Sequence, residues 1–183
     1  MIRKNGPWTI TDTQIKYKNP WIEVREDAVV RPDGKPGIFG VVRMKPGVSV
    51  LALDADDQVY LTDEFHYAIG ARSLEVVSGG IDEGEDPLEA AKRELKEELG
   101  IEAGTWTPLG VVNPFTTVVE SPAHLFLAMD LSFGPRQLEG TEDITAVRVP
   151  MAEALQMAMD GRVTHGPSCT LILKAAEFLR KKR

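Results

Sequence analysis

The chain has 183 residues, 43% of them hydrophobic and 27% charged, which suits one globular domain with at most a small N-terminal extension. The formal charge of −7 argues against a nucleic-acid surface, and no run approaches the roughly 18 consecutive apolar residues of a membrane span. The single cysteine, Cys169, excludes an intramolecular disulfide; with no apolar stretch or small-residue cleavage site near the start, a cytoplasmic location is expected.

The first half reads as strands. Short β-rich runs at residues 8–11, 15–17, 21–24 and 28–30 are separated by polar breaks, and Pro32-Asp33-Gly34 is a strong turn signal. Residues 38–44 and 48–53 carry more β-branched side chains. A turn at residues 54–57 then leads into 59–62 as a hairpin, and 73–77 is a further strand.

The first helix is expected from Pro87 to about Leu99. Asp86 is its N-cap, Pro87 occupies the first helical position, where its missing N–H costs nothing, and Glu89 stands where a capping box needs it. Gly100 is the natural terminator, and Leu88, Ala91, Leu95 and Leu99 form the buried stripe. Strands follow near 106–112, 124–129 and 144–149, then helices near 151–159 and 168–180. Strand-rich and helical segments in this order predict a mixed sheet flanked by helices.

Residues 79–101 read GGIDEGEDPLEAAKRELKEELGI. Gly79, Gly80 and Gly84 suit a loop that takes positive φ and lets backbone approach a ligand. On the helix that follows, Glu94, Glu97 and Glu98 lie within one turn, so their side chains can converge. Like charges at this spacing repel by about 0.2–0.5 kcal/mol per pair. A divalent cation among them offsets that cost, and oxygen-only ligands select Mg²⁺ first and Mn²⁺ second. The alternative for an acidic helix by itself is a solvated face paired with Lys92, Arg93 and Lys96.

The spacing Gly79, five residues, Glu85, seven residues, then Arg93-Glu94-Leu95-Lys96-Glu97-Glu98-Leu99-Gly100-Ile101 resembles the box of the Nudix hydrolases. The resemblance implies an α/β/α sandwich with a mixed sheet and Mg²⁺-dependent hydrolysis of a nucleoside diphosphate linked to another group. By position it makes Glu94 and Glu98 metal ligands, joined by the carbonyl of Ser78. Glu97 becomes a ligand or the residue that orients the attacking water. It also makes Arg93 the partner that holds a glutamate, and Glu85 a support for the loop.

The flanks resemble the ADP-ribose and nucleoside diphosphate sugar pyrophosphatase branch. That likeness implies an N-terminal antiparallel β-arm over residues 1–45 that makes a homodimer, followed by the hydrolase domain over 46–183. Trp21 and Phe39 match aromatic positions that hold a base, and Arg43 matches a cationic one. Their alternative role is to fill a dimer or hairpin core. Beyond the box, Glu142 falls where the branch places a general base or additional ligand, with Glu139 the fallback and Glu120 a third candidate.

Two departures stand out: Glu64-Phe65-His66 replaces a Gln-aromatic-Arg run, and residues 113–122 lack a Ser-Pro-Gly signature. They keep a nucleoside diphosphate hexose beside ADP-ribose as the expected substrate. The remaining alternatives are a dinucleoside polyphosphate or RNA-cap hydrolase and a non-catalytic nucleotide sensor. His124, His165 and Cys169 match no common zinc spacing, and Ser168 lacks the context of a nucleophile.

Overall fold

A computed structural model describes residues 2–137 and 143–182 of the chain. In chain order its strands and helices are β1 (Arg3–Asn5), β2 (Trp8–Lys18), β3 (Ile22–Val30), β4 (Pro36–Met44), β5 (Gly47–Leu53), β6 (Gln58–His66), β7 (Ala71–Glu75), β8 (Val77–Gly80), α1 (Pro87–Leu99), β9 (Ile101–Val112), β10 (Val119–Glu120), β11 (Ala123–Phe133), β12 (Ile144–Pro150), α2 (Met151–Asp160) and α3 (Gly166–Lys182). They fall into two compact units.

One unit comprises Met1–Lys45 and Asn113–Ser121. Its sheet runs β1-β2-β3-β4-β10, antiparallel except for β10, which pairs parallel with β4. The runs at residues 8–11 and 15–17 are a single strand, β2, because register shifts at Ile10/Asp12 and Ile15/Tyr17 keep the ladder to β3 going across the polar break. Pro32-Asp33-Gly34 makes the expected turn: the Gly34 N–H donates to the Arg31 carbonyl at 2.9 Å, and Asp33 Oδ1 accepts from the Lys35 N–H at 3.1 Å.

The second unit, Pro46–Val112 with Pro122–Arg183, is built on a mixed sheet of order β12-β6-β5-β11-β9, with β7 beside β6 and β8 beside β5. The central pair β5 and β11 is parallel and the other pairs are antiparallel. Side chains alternate across a strand, and both faces of this sheet are apolar. Leu51 and Leu53 with Leu125 and Leu127 join Met151 and Ala154 of α2 and Leu171, Ile172 and Ala175 of α3 on one face. Val48, Val50 and Ala52 with Phe126 and Ala128 join Ala90, Ala91, Leu95 and Leu99 of α1 on the other. This is the α/β/α sandwich expected.

Helix α1 begins as the sequence dictates. Asp86 is extended (φ −72°, ψ 136°), its Oδ1 accepts from the Leu88 N–H at 2.9 Å, and Gly100 closes the helix at φ 66°. Glu89 does not complete a capping box but accepts from Lys92 Nζ at 2.7 Å; a flexible, exposed carboxylate finds a cation one turn on.

Candidate active site

The box segment leaves β8 and turns into α1. Of the three glycines expected to need positive φ, only Gly84 (φ 81°) has it; Gly79 and Gly80 lie in β8, paired with Val48 and Gly47. Gly79 is needed for a different reason. A Cβ there would lie 2.0 Å from the Glu94 carboxylate carbon, so hydrogen is the only side chain that lets this carboxylate rest on the strand. Ser78, next to it, pairs with Ser49, and their hydroxyls lie 3.1 Å apart.

Glu94 and Glu98 are buried at 9% and 4% exposure, while Glu97 is half-buried. The leucine stripe explains the division: residues 94 and 98 border Leu95 and Leu99, which enter the core, and residue 97 lies further round the helix.

Arg93 organises the cluster. Its Nε and Nη2 donate to Glu85 Oε1 and Oε2 at 2.9 and 3.0 Å, and its Nη1 donates to Glu94 Oε1 at 2.7 Å and Glu97 Oε2 at 3.2 Å. Nη2 also reaches the Gly80 carbonyl at 2.9 Å. The hydrogen bonds to Glu85 and then Glu94 push the guanidinium pKa up, so Arg93 is a fixed positive charge. Glu85 returns to the loop, where its Oε2 accepts from the Asp82 N–H at 2.9 Å.

Among the described residues no three acidic, histidine or cysteine side chains are gathered as a ready metal cluster. At the box the Arg93 guanidinium lies against both Glu94 and Glu97. The donor chemistry nevertheless fits a hard divalent ion: carboxylates on one helical turn, two of them buried, beside a strand whose glycine leaves room for one of them. Glu139 and Glu142 lie outside the described residues.

In the other unit the expected substrate residues separate. Trp21 sits at the β2–β3 turn and is 71% exposed. Phe39 lies opposite Asp27 on β4, five positions along from Met44, which pairs with Ile22 next to Trp21. At about 3.3 Å per residue that is roughly 16 Å, so the two rings do not share a cleft within this unit. Phe39 instead meets Trp8 edge-on, centroids 5.7 Å apart, in a cavity of about 110 Å³ lined also by Arg25, Asp27 and Asn5. Asp27 is buried there and accepts from Thr13 Oγ1 at 2.5 Å. No motif in the sequence sets Trp8 apart; only the folded sheet places it beside Phe39.

Arg43 is committed to Glu120, donating from Nε and Nη2 at 3.2 and 3.3 Å, and Arg25 Nη1 donates to the same carboxylate at 3.2 Å. Partial burial works against the Glu120 charge, but these two arginines outweigh it and hold the carboxyl below its ordinary value.

A further network joins the ends of β6 and β7 to the start of α3. Glu75 at the end of β7 faces His66 Nε2 at 3.0 Å and His165 Nδ1 at 2.9 Å, and the same His165 nitrogen lies 2.8 Å from Ser168 Oγ. A serine, a histidine and a carboxylate suggest a hydrolytic triad, yet serine and carboxylate share one ring nitrogen and Ser168 is fully buried. A triad needs both ring nitrogens and an accessible hydroxyl. Ser168 Oγ accepts from the Val76 N–H at 3.0 Å, so the network ties α3 to the strand entering the box. Cys169, whose thiol burial pushes up, donates to the Val163 carbonyl at 3.1 Å.

The chain's relatives agree with this architecture. The Nudix domain model matches residues 43–167, more than half of the chain. The chain belongs to the Nudix family. With the relatives that follow, this supports a hydrolase of the pyrophosphatase class.

Residues 8–42 of this Nudix hydrolase match the nucleoside diphosphate sugar hydrolase N-terminal domain. The chain is 27% identical over 151 residues to an ADP-ribose pyrophosphatase of Bacillus subtilis, covering 81% of each protein. It is 33% identical over 129 residues to the ADP compounds hydrolase NudE of Escherichia coli, covering 68% of this chain and 67% of the relative. Among solved structures, an ADP compounds hydrolase superposes with a TM-score of 0.82 at 25% identity, covering 98% of both chains. No helix among the described residues is long and apolar enough to cross a membrane.

Proposed function

We propose that this Nudix hydrolase is a Mg²⁺-dependent, homodimeric pyrophosphohydrolase. It cleaves the diphosphate of ADP-ribose or a nucleoside diphosphate sugar to a nucleoside monophosphate and a sugar phosphate. The observation that carries the reading is the box itself: Glu94 and Glu98 are buried a turn apart, and Glu97 is held by the same arginine that grips Glu94. A protein that needed only a stable helix would gain nothing from burying two carboxylates there.

Glu94, Glu98 and the Ser78 carbonyl would hold the divalent ion, Mg²⁺ or Mn²⁺, with Glu97 beside it. When bound, the ion supplies positive charge against the diphosphate and acidifies the water next to it. Of Glu94, Glu97 and Glu98, Glu97 is the one that is only half-buried, and it takes the proton of the attacking water, a role for which Glu142 is the other candidate. Arg93 keeps Glu94 and Glu97 oriented, and Glu85 anchors Arg93 to the loop.

In the N-terminal unit the Trp8–Phe39 cleft, with Arg25 and Asp27 on its wall, offers aromatic surface and hydrogen-bonding groups to a base. Stacking on such surfaces is worth about 1–3 kcal/mol per base. Trp21, exposed at its turn, is available to a base or to the second copy of the dimer, and Arg43 to a phosphate that displaces Glu120.

The names of the relatives favour ADP compounds, while the N-terminal family model favours nucleoside diphosphate sugars. The test is a panel of ADP-ribose and nucleoside diphosphate sugars incubated with Mg²⁺, with phosphate released from the products by a coupled phosphatase. Turnover of at least one member is expected; a panel with none overturns the reading.

A further inference from the structure

A helix ends with backbone carbonyls that have no partner within it, and water usually takes them. At the end of α1 one short segment takes them instead. The Gln137 N–H donates to the Glu97 carbonyl at 2.9 Å, and the Gly134 N–H donates to the Gly100 carbonyl at 2.7 Å. Between these two, Arg136 Nε donates to the Glu98 carbonyl. Its Nη2 donates at 3.2 Å to the carbonyl of Ile144, the first residue of β12. One guanidinium fork thus spans the last turn of α1 and the start of another strand.

Gly100 admits this strap. A Cβ there would lie 2.3 Å from the Gly134 carbonyl oxygen and 3.1 Å from the Arg136 nitrogen. The backbone positions so held are those of Glu97 and Glu98, and helix ends otherwise fray. A cap that only ended the helix would need no anchor on β12. A planar fork with two anchors fixes the rotation of the last turn, and the directions of the two carboxylates follow from it.

We propose that Arg136 is a positioning residue for the metal-facing end of α1, holding the carboxylates of Glu97 and Glu98 in place through their backbone. The proposal rests on the role given to those glutamates above. It predicts that losing the fork weakens metal binding and slows the chemical step without touching nucleotide recognition.

The test compares the full-length chain with Arg136→Ala and Arg136→Lys variants. Mn²⁺ alone is titrated and followed by electron paramagnetic resonance, alongside kcat, KM and a thermal melt. In folded Arg136→Ala, Mn²⁺ affinity should fall roughly tenfold to a hundredfold and kcat by a similar factor, with KM within about twofold. Arg136→Lys, which keeps the charge but loses the planar fork, should lie between wild type and Arg136→Ala.

Wild-type Mn²⁺ affinity in either folded variant overturns the proposal, as does an activity loss that follows only the fraction unfolded. If Arg136→Ala does not stay folded at the assay temperature, Arg136→Lys decides. A wild-type chain that binds Mn²⁺ but cleaves no diphosphate would defeat the proposed function, and the Mn²⁺ series would still decide the role of Arg136. A wild-type chain that binds no Mn²⁺ overturns the proposal outright.

Discussion

At the scale of single residues, the box shows how one missing atom decides where a charge goes. Gly79 has no Cβ, so the Glu94 carboxylate can lie where a side chain would otherwise be, 2.0 Å from the position of its first carbon. Arg93 then has a fixed target, and through it Glu97 is held as well. Because Glu97 is the described carboxylate given the proton-accepting role, Glu97→Gln should lower kcat by about a hundredfold or more. Nucleotide affinity should stay within a few-fold. Steady-state kinetics and calorimetric binding measure the two separately, and a variant with unchanged kcat would favour Glu142 or a sensor role. The spacing of Gly79, Glu85, Arg93, Glu94, Glu97 and Glu98 was legible in the sequence because all six lie within twenty residues on a turn and a helix.

At the scale of elements, α1 is the most self-sufficient piece of the chain. It has its own cap, a proline at its first turn, a leucine stripe and a terminating glycine. Asp86→Ala removes the bond to the Leu88 N–H and should cost about 1 kcal/mol, read as a lower urea midpoint at unchanged slope. The strands were less legible. Two short runs proved to be one long β2, since bulges against β3 absorb residues that look like breaks. Pairing energy comes from the neighbouring strand, so a polar run that seems to end a strand can be carried across by the ladder.

The β5–β6 turn shows an element stabilised by charge. Asp54 is partly screened from water, which alone would raise its pKa, but Arg148, the Gln58 N–H, Tyr60 and the Asp56 N–H together hold it at about 2 rather than 3.8. A carboxyl whose folded pKa is depressed contributes stability that is present in full above its unfolded value and lost as pH falls through the folded one. The contribution should therefore disappear between about pH 4 and pH 2. Asp54→Asn should be less stable than wild type at neutral pH, with the difference shrinking across that window; chemical denaturation at a series of pH values measures it. A constant difference would show that the ion pair is not its source.

At the scale of the whole molecule, the chain forms two compact units, and the proposed function gives each a role to be tested. The reading of an arm that binds the base and makes a dimer predicts a solution mass of twice the chain by light scattering. It also predicts that Phe39→Ala raises KM for the nucleotide by roughly tenfold with kcat little changed, since a stacking contact made equally in ground and transition states affects binding alone. A monomeric mass, or a fall in kcat at constant KM, would count against it.

What the sequence determined by itself is what short spacing can encode: helix α1, its cap and stripe, the box carboxylates, the hairpin turns, and through the box the family and the α/β/α class. Only the tertiary structure decided the rest. It brought Glu120 to Arg25 and Arg43, 95 and 77 residues away, paired Val76 with Ser168 across 92 residues, and placed Arg136 on the carbonyl of Glu98, 38 residues back. It also added Asn113–Ser121 to the N-terminal unit and set Trp8, not Trp21, beside Phe39. The reason is physical. Periodicity and capping are fixed by bonds a few residues long, whereas these contacts depend on strand register and chain path, which follow from burying both faces of one sheet at once.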